Sequence, residues 1–223
     1  MNPDSIIECV PIFSEGTDAA TGHKIVAAMQ VEGVSLLDWS LDTAHNRSVV
    51  TVAGPPAAVI AAAVKSVGKA AELIDLTRQK GVHPRIGAAD VVPFIPVSGI
   101  SMAECAVLAR QAGLLIWRTY GVPVYFYGAA AARPDRVQLE DVRKGQFEGL
   151  REATRRDSSR CPDIGGPGLH ETAGASAVGA RNFLIAYNVH LHQPVISAAR
   201  AIARDIRASN GGLDGVKPIG VVA

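Results

Sequence analysis

Lys80-Gly81-Val82-His83-Pro84-Arg85-Ile86-Gly87-Ala88-Ala89-Asp90 gathers a histidine, three charged side chains and two glycines into one short stretch. An amphipathic pattern precedes it and the apolar run Val91 to Val97 follows. A connecting loop has no packing reason to hold so many polar side chains, so it reads as a site carried by a scaffold. His83 has the one side chain that titrates near neutrality when unperturbed, which suits it to taking and returning protons. The plain alternative is a turn in which His83 and Asp90 only satisfy backbone groups.

Other polar clusters are weaker. Gly165-Gly166-Pro167-Gly168-Leu169-His170-Glu171-Thr172-Ala173-Gly174 lacks the strand-to-helix context of a dinucleotide fingerprint and the Gly-Lys-Ser/Thr ending of a P-loop. Its glycines suit either close backbone approach to a flat or anionic ligand, or a linker. His190 and His192 would share one face of a strand, with His170 as a third candidate ligand. No carboxylate or cysteine lies at a helpful spacing, so the sequence is read as metal-free. Glu8 stands in an apolar strand and needs a partner. His45 either lines a pocket or faces water, and His23 reads as a surface residue. From Ala129 to Asp163, arginines alternate with carboxylates. That pattern fits a solvated helix laced with ion pairs, or a cationic rim for an acidic ligand.

The elements that must carry these residues follow from periodicity and breakers. Strands are expected at Ile6 to Val10, Val34 to Trp39, Ser48 to Ala53, Val91 to Val97 and Val124 to Tyr127. Helices are expected after Ser14-Glu15-Gly16, after Gly54-Pro55-Pro56, where proline loses no needed donor, and from Ser101, capped with Glu104. This order predicts an α/β (α+β) fold, a ferredoxin-like βαββαβ sandwich with helices on one face of a mixed sheet. Beyond it, a strand at Phe183 to Val189, a helix from about Val195 to Ala208 and a strand at Pro218 to Val222 would make a truncated second α/β subdomain. The expected division is residues 1–178 and 179–223.

With 223 residues, 48% apolar and 19% charged, the chain can bury a substantial core. A net charge of +1 gives no general attraction to nucleic acid or an anionic membrane. No apolar run is long enough to span a bilayer. Cys9, Cys105 and Cys161, without CxxC spacing, fit a reducing compartment, and a soluble cytoplasmic protein is expected.

Several collinear segments together resemble the formiminotransferase domain of glutamate formimidoyltransferase and of formimidoyltransferase-cyclodeaminase. They are Glu8 to Gly16, Leu36-Leu37-Asp38, Asn46-Arg47, Gly54-Pro55-Pro56, Lys80 to Val97, Val122 to Gly128 and Gly179 to Asn188. The resemblance implies a transferase that moves a formimino group from N-formimino-L-glutamate to tetrahydrofolate, the acceptor substrate, without a metal. It further implies folate bound between two α/β subdomains, a homodimer, and a place in histidine degradation or one-carbon metabolism. By the same resemblance His83 is the catalytic histidine and Gly165 to Gly174 the folate-binding segment. Asp38, Asn46, Arg47, Lys80, Arg85 and Asp90 are candidates for holding substrate. The chain departs from the family pattern at Ile12, Ser40 and Ala129, where asparagine, aspartate and glutamate are expected. Two alternatives stay open: a non-catalytic relative that binds folate or a partner chain, and a ferredoxin-like small-molecule sensor.

Overall fold

The structure, a computed structural model, describes residues 2, 4–185, 189, 191–192, 195–216, 218 and 220. The chain begins with β1 (Ile6–Cys9) and β2 (Ile12–Phe13), one line of strand broken at Val10-Pro11 because proline cannot donate to a ladder. There follow α1 (Ala19–Ala28), β3 (Ser35–Asp42), β4 (Arg47–Gly54), α2 (Pro56–Leu73), β5 (Ala89–Ser98), α3 (Met102–Tyr120) and β6 (Val124–Gly128). Two short helices, α4 (Leu139–Val142) and α5 (Gln146–Arg156), precede β7 (Ser176–Ala180).

In the sheet, β3 lies beside β4, β4 beside the β1/β2 line, then come β5, β7 and β6. The β1/β2 line runs antiparallel to both β4 and β5, while β5, β7 and β6 are parallel. The first four of these positions are the ferredoxin-like arrangement, with α1 and α2 as the two crossovers. The α3 crossover then extends the sheet by two further parallel strands.

The core explains the pattern. Ile7, Cys9, Val50, Val52, Val92, Phe94, Val124, Phe126 and Val178 alternate onto one face. They meet Ile25 from α1, Val59, Ala63 and Val67 from α2, and Leu108, Ala112 and Ile116 from α3. Helix α3 starts as expected: Ser101 and Glu104 form a reciprocal capping box, and Gly121 closes its end in the left-handed region. On the opposite face α4 and α5 cover only the β5–β7–β6 end. There Val142 and Leu150 pack with Val91, Tyr125, Tyr127 and Ala177. The remaining part of that face, with Glu8, Asp38, Ser40 and Thr51, is exposed or half-buried.

Two expectations are corrected here. Phe183, Leu184, Ile185 and Val189 form no strand and are exposed, while residues 186–188 lie outside the described ones. The strand of this region is Ser176–Ala180, all of it buried, and it runs through residues 178 and 179. At the C-terminus, Pro218 and Gly220 are not in a strand, and residues 219, 221 and 222 lie outside the described ones. The chain separates into a compact unit Met1–Phe183 and a second, Leu184–Ala223. The second unit contains the helix α6 (Ile196–Ile206), close to the expected span. No helix among the described residues is long and apolar enough to cross a membrane.

Leu150 is fully buried and holds α5 on the sheet. Leu150→Ala should therefore cost about 2–5 kcal/mol, read as a lower urea midpoint with an unchanged slope.

Candidate functional site

The loop Arg85 to Asp90 is pinned from several directions. Asp90 is fully buried at the start of β5. Its Oδ1 accepts the Ile86 N–H at 2.7 Å, and its Oδ2 pairs with Arg143, the residue that ends α4. Burial pushes the Asp90 carboxyl up, and the Arg143 guanidinium with the N–H groups of Ile86 and Gly87 opposes that. The backbone of Ile86 and Ala88 pairs with Ala173 and Ala175, and Ser14 Oγ donates to the Gly87 carbonyl at 2.7 Å.

Arg85 is equally committed. Its Nε donates to Gln79 Oε1, Nη1 to Gln146 and Glu148, and Nη2 to Glu148 and the Gln79 carbonyl. These bonds use all its donors, so none is left for a substrate carboxylate. Glu148 in turn is held below the usual carboxylate range, chiefly by its hydrogen bond from Arg85.

Asn46 staples a second turn to this loop. It sits at φ 49°, in the left-handed region that asparagine tolerates. Its Oδ1 accepts the Gly16 N–H at 2.9 Å, and its Nδ2 donates to the Lys80 carbonyl at 2.6 Å. Gln79 Nε2 returns a bond to the Asn46 carbonyl at 3.1 Å. Both polar ends of Asn46 are thus spent on protein groups. Gly16 must be glycine for the same contact: a Cβ there would stand 2.4 Å from Arg47 N and from the Asp42 carbonyl oxygen.

What these staples place together is His83, His45, Arg47, Asp42 and Arg143. His83 is at the tip between Lys80 and Arg85, half-buried, with exposed Val82 and Pro84 on either side. Asp42 accepts the His45 N–H at 3.0 Å, while its Oδ2 meets His45 Nδ1 at 2.8 Å and Arg47 Nε at 3.5 Å. Partial burial would raise the Asp42 carboxyl, yet these donors hold it below its ordinary value. The His83 imidazole is pushed down from 6.5 to about 3. Burial is the main cause, then the charges of Arg143, Arg47 and His45, with Asp42 pulling weakly the other way. At neutral pH the ring is unprotonated and able to accept a proton.

The remaining candidates are spread out. Lys80 is exposed, and only its carbonyl is used. Asp38 is exposed on β3, about 13 Å of strand from Asp42 at the usual rise. In the glycine-rich segment, Gly166, Pro167, Gly168 and Glu171 are exposed, Gly165 lies against Trp117, and Leu169 packs on the core. His170 Nδ1 accepts the N–H groups of Thr172 and Ala173, so His170 to Gly174 closes a tight turn beside Gly87. Glu8 lies on the open sheet face near Arg181; burial pushes its carboxyl up and Arg181 opposes this. Among the described residues no cluster of histidine, cysteine, aspartate and glutamate could hold a metal. His190 lies outside the described residues. Sequence reasoning missed Arg143, whose only signal was membership of the arginine-rich connector.

Residues 6–181 match the formiminotransferase domain, N-terminal subdomain. The chain is 45% identical to the glutamate formimidoyltransferase of Streptococcus pyogenes serotype M1, over 97% of this chain and 73% of that protein. It is 44% identical to the glutamate formimidoyltransferase of Thermoplasma acidophilum, over 96% of this chain and 71% of that one. It is 41% identical to the formimidoyltransferase-cyclodeaminase of Gallus gallus, over 94% of this chain but 38% of that longer protein.

The depressed His83 titration has a sign. Below the ordinary value of 6.5 the unfolded chain binds a proton that the folded one refuses. Stability should therefore fall as pH drops from 6.5 towards 3, and His83→Gln should flatten that part of the urea-midpoint profile. Asn46→Gly keeps the left-handed backbone but deletes both side-chain bonds. It should cost about 1–3 kcal/mol and speed amide exchange selectively at Gly16 and in residues 79–83.

Proposed function

Since the chain belongs to the formiminotransferase family, we propose that it transfers the formimino group of N-formimino-L-glutamate to tetrahydrofolate, with His83 moving the protons. The observation that carries this reading is an imidazole kept neutral beside Arg47, on a loop whose neighbours are fixed by buried bonds.

The chemistry needs such a ring. Attack of the folate N5 amine on the amidine carbon forms a tetrahedral centre, and the new C–N bond leaves N5 with a proton to lose. The glutamate nitrogen must gain a proton before its bond to that carbon breaks. A neutral His83 accepts the first proton and, as imidazolium, donates to the departing nitrogen. Its low proton affinity makes it a weak base in the free protein and a strong acid once protonated. Substrate carboxylates docking near Arg47 would offset the positive field and bring the ring closer to neutrality, where both transfers are efficient.

Folate is assigned to the glycine-rich segment Gly165 to Gly174, whose turn at His170 to Gly174 is bonded beside the His83 loop. Arg47 is assigned to a substrate carboxylate, with the exposed Lys80 and Asp38 as outer contacts. Asn46, Arg85 and Asp90 shape the site rather than touch substrate. The departures at Ile12, Ser40 and Ala129 are compatible with this arrangement. Ile12 packs against the cluster of Val91, Tyr125, Val142 and Leu150 under α4 and α5, and Ala129 donates its N–H to the Ala180 carbonyl. We also read the protein as a cytoplasmic homodimer. The free cysteines fit a reducing compartment, and the apolar groove between α2 and α3 supports the dimer reading as a surface that a second copy would cover.

His83→Ala should lower the transfer rate about 10²–10⁴-fold while circular dichroism and tetrahydrofolate binding by calorimetry stay close to wild type. Transfer at the wild-type rate in this variant would remove His83 from the mechanism. Folate binding without turnover in the wild type would instead identify a non-catalytic relative.

A further inference from the structure

Three arginines surround the His83 loop, and they are not equivalent. Arg85 spends every donor on Gln79, Gln146 and Glu148. Arg47 makes only an ion-pair contact, its Nε 3.5 Å from an Asp42 carboxylate already shared with His45, and no hydrogen bond from that Nε among the described residues. Arg143 gives Nη2 to Asp90. Its Nε is buried and meets no acceptor among the described residues. The Nε is closed off from outside, but the side chain keeps some exposure and only Nη2 is committed, so the guanidinium edge retains a donor for an arriving carboxylate.

We propose that Arg143, anchored by the buried Asp90, is a carboxylate-binding residue of the site, and that with Arg47 it receives an acidic group of an amino-acid-derived substrate beside His83. This assigns a role to the connector after β6, which carries Arg143 at the end of α4. The charges of the two arginines act on His83 from different elements, Arg47 from the start of β4 and Arg143 from the residue just after α4.

The electrostatics agree with the placement. Among the charges that act on His83, Arg143 is the largest, followed by Arg47 and His45, with Asp42 opposed. Asp90 bears on Arg143 directly. Tyr127, held up near 12 mainly by burial, also feels Arg143. A carboxylate bound between the arginines offsets the charges that suppress the imidazole. Substrate arrival and His83 basicity are thereby coupled.

The identity of the anion as the glutamate part of the donor rests on the proposed function. The test separates the two claims. His83 is titrated by NMR in histidine-labelled protein, without and with saturating L-glutamate, and KM for N-formimino-L-glutamate is measured in parallel. In the wild type glutamate should raise the titration by at least about one unit. The double variant Asp90→Asn/Arg143→Gln removes both charges and leaves no orphaned buried ion. It should raise the glutamate-free titration, lose most of the glutamate response, and increase KM about 10-fold or more. Arg143→Lys, which keeps a charge for Asp90 if the double variant folds poorly, should retain a depressed titration but still raise KM. An unchanged titration, glutamate response and KM in the double variant would overturn the proposal. So would an Arg143→Lys protein with wild-type KM. A wild type that responds to glutamate but transfers nothing would sink the function and leave Arg143 its role.

Discussion

The buried pair between Asp90 and Arg143 is the constraint on which the site depends. A fully buried carboxylate is tolerated only with compensation, and here the Arg143 guanidinium and the N–H groups of Ile86 and Gly87 provide it. Removing one partner of such a pair strands the other, at a typical cost of about 3–5 kcal/mol. The pair also has a directional effect. It ties the connector after β6 to the first residues of β5, and so fixes the outgoing end of the loop whose tip is His83. The incoming end is fixed by neutral bonds, through Asn46 and Gln79. His83 is thus carried on a loop whose two ends are held by bonds to other elements, which is how a loop can keep a fixed geometry.

The same arrangement separates cations that look alike in the sequence. Arg136 is buried against Asp163 and over the Tyr125 ring, so it acts as internal scaffolding. Arg85 is scaffolding too. Arg155 and Arg156 are exposed partners of Glu152 within one helix, worth little to stability. Most of the connector's arginines are thus in ion pairs with protein carboxylates, some buried and some exposed. Charge counts along a chain cannot make that distinction, because burial decides it.

Much of the fold was legible. The helix starts at Pro55-Pro56 and Ser101, the two-residue alternation of Ser48 to Ala53, and the order of elements lead to the ferredoxin-like unit. The polar loop at His83 also stood out. What was hidden had distant or compositional causes. The partner of Arg85 is Glu148, sixty-three positions away. The bonds of Asn46, from the Gly16 N–H and to the Lys80 carbonyl, were hidden because both partners are remote in sequence. Ser176–Ala180 is made of small residues with one valine, a poor strand by propensity. It is a strand because it fills the slot between β5 and β6, where Gly179 lies so close to the Tyr127 ring that a Cβ would stand 2.5 Å away. Phe183 to Ile185 has strand-like composition, but without neighbours to pair with it stays exposed.

That late-arriving strand has a consequence for biosynthesis. Strands β5 and β6 leave the ribosome well before β7, yet they do not pair with each other; the ladder that joins them is Ser176–Ala180. A nascent chain that has emerged only to the arginine-rich connector already has its ferredoxin-like part, but with an unsatisfied edge on β5 and a stray β6. Such edges are templates for wrong pairing. Ala173 and Ala175, just ahead of that strand, bond to Ala88 and Ile86, so the His83 loop and the last seam of the sheet set at the same moment of synthesis.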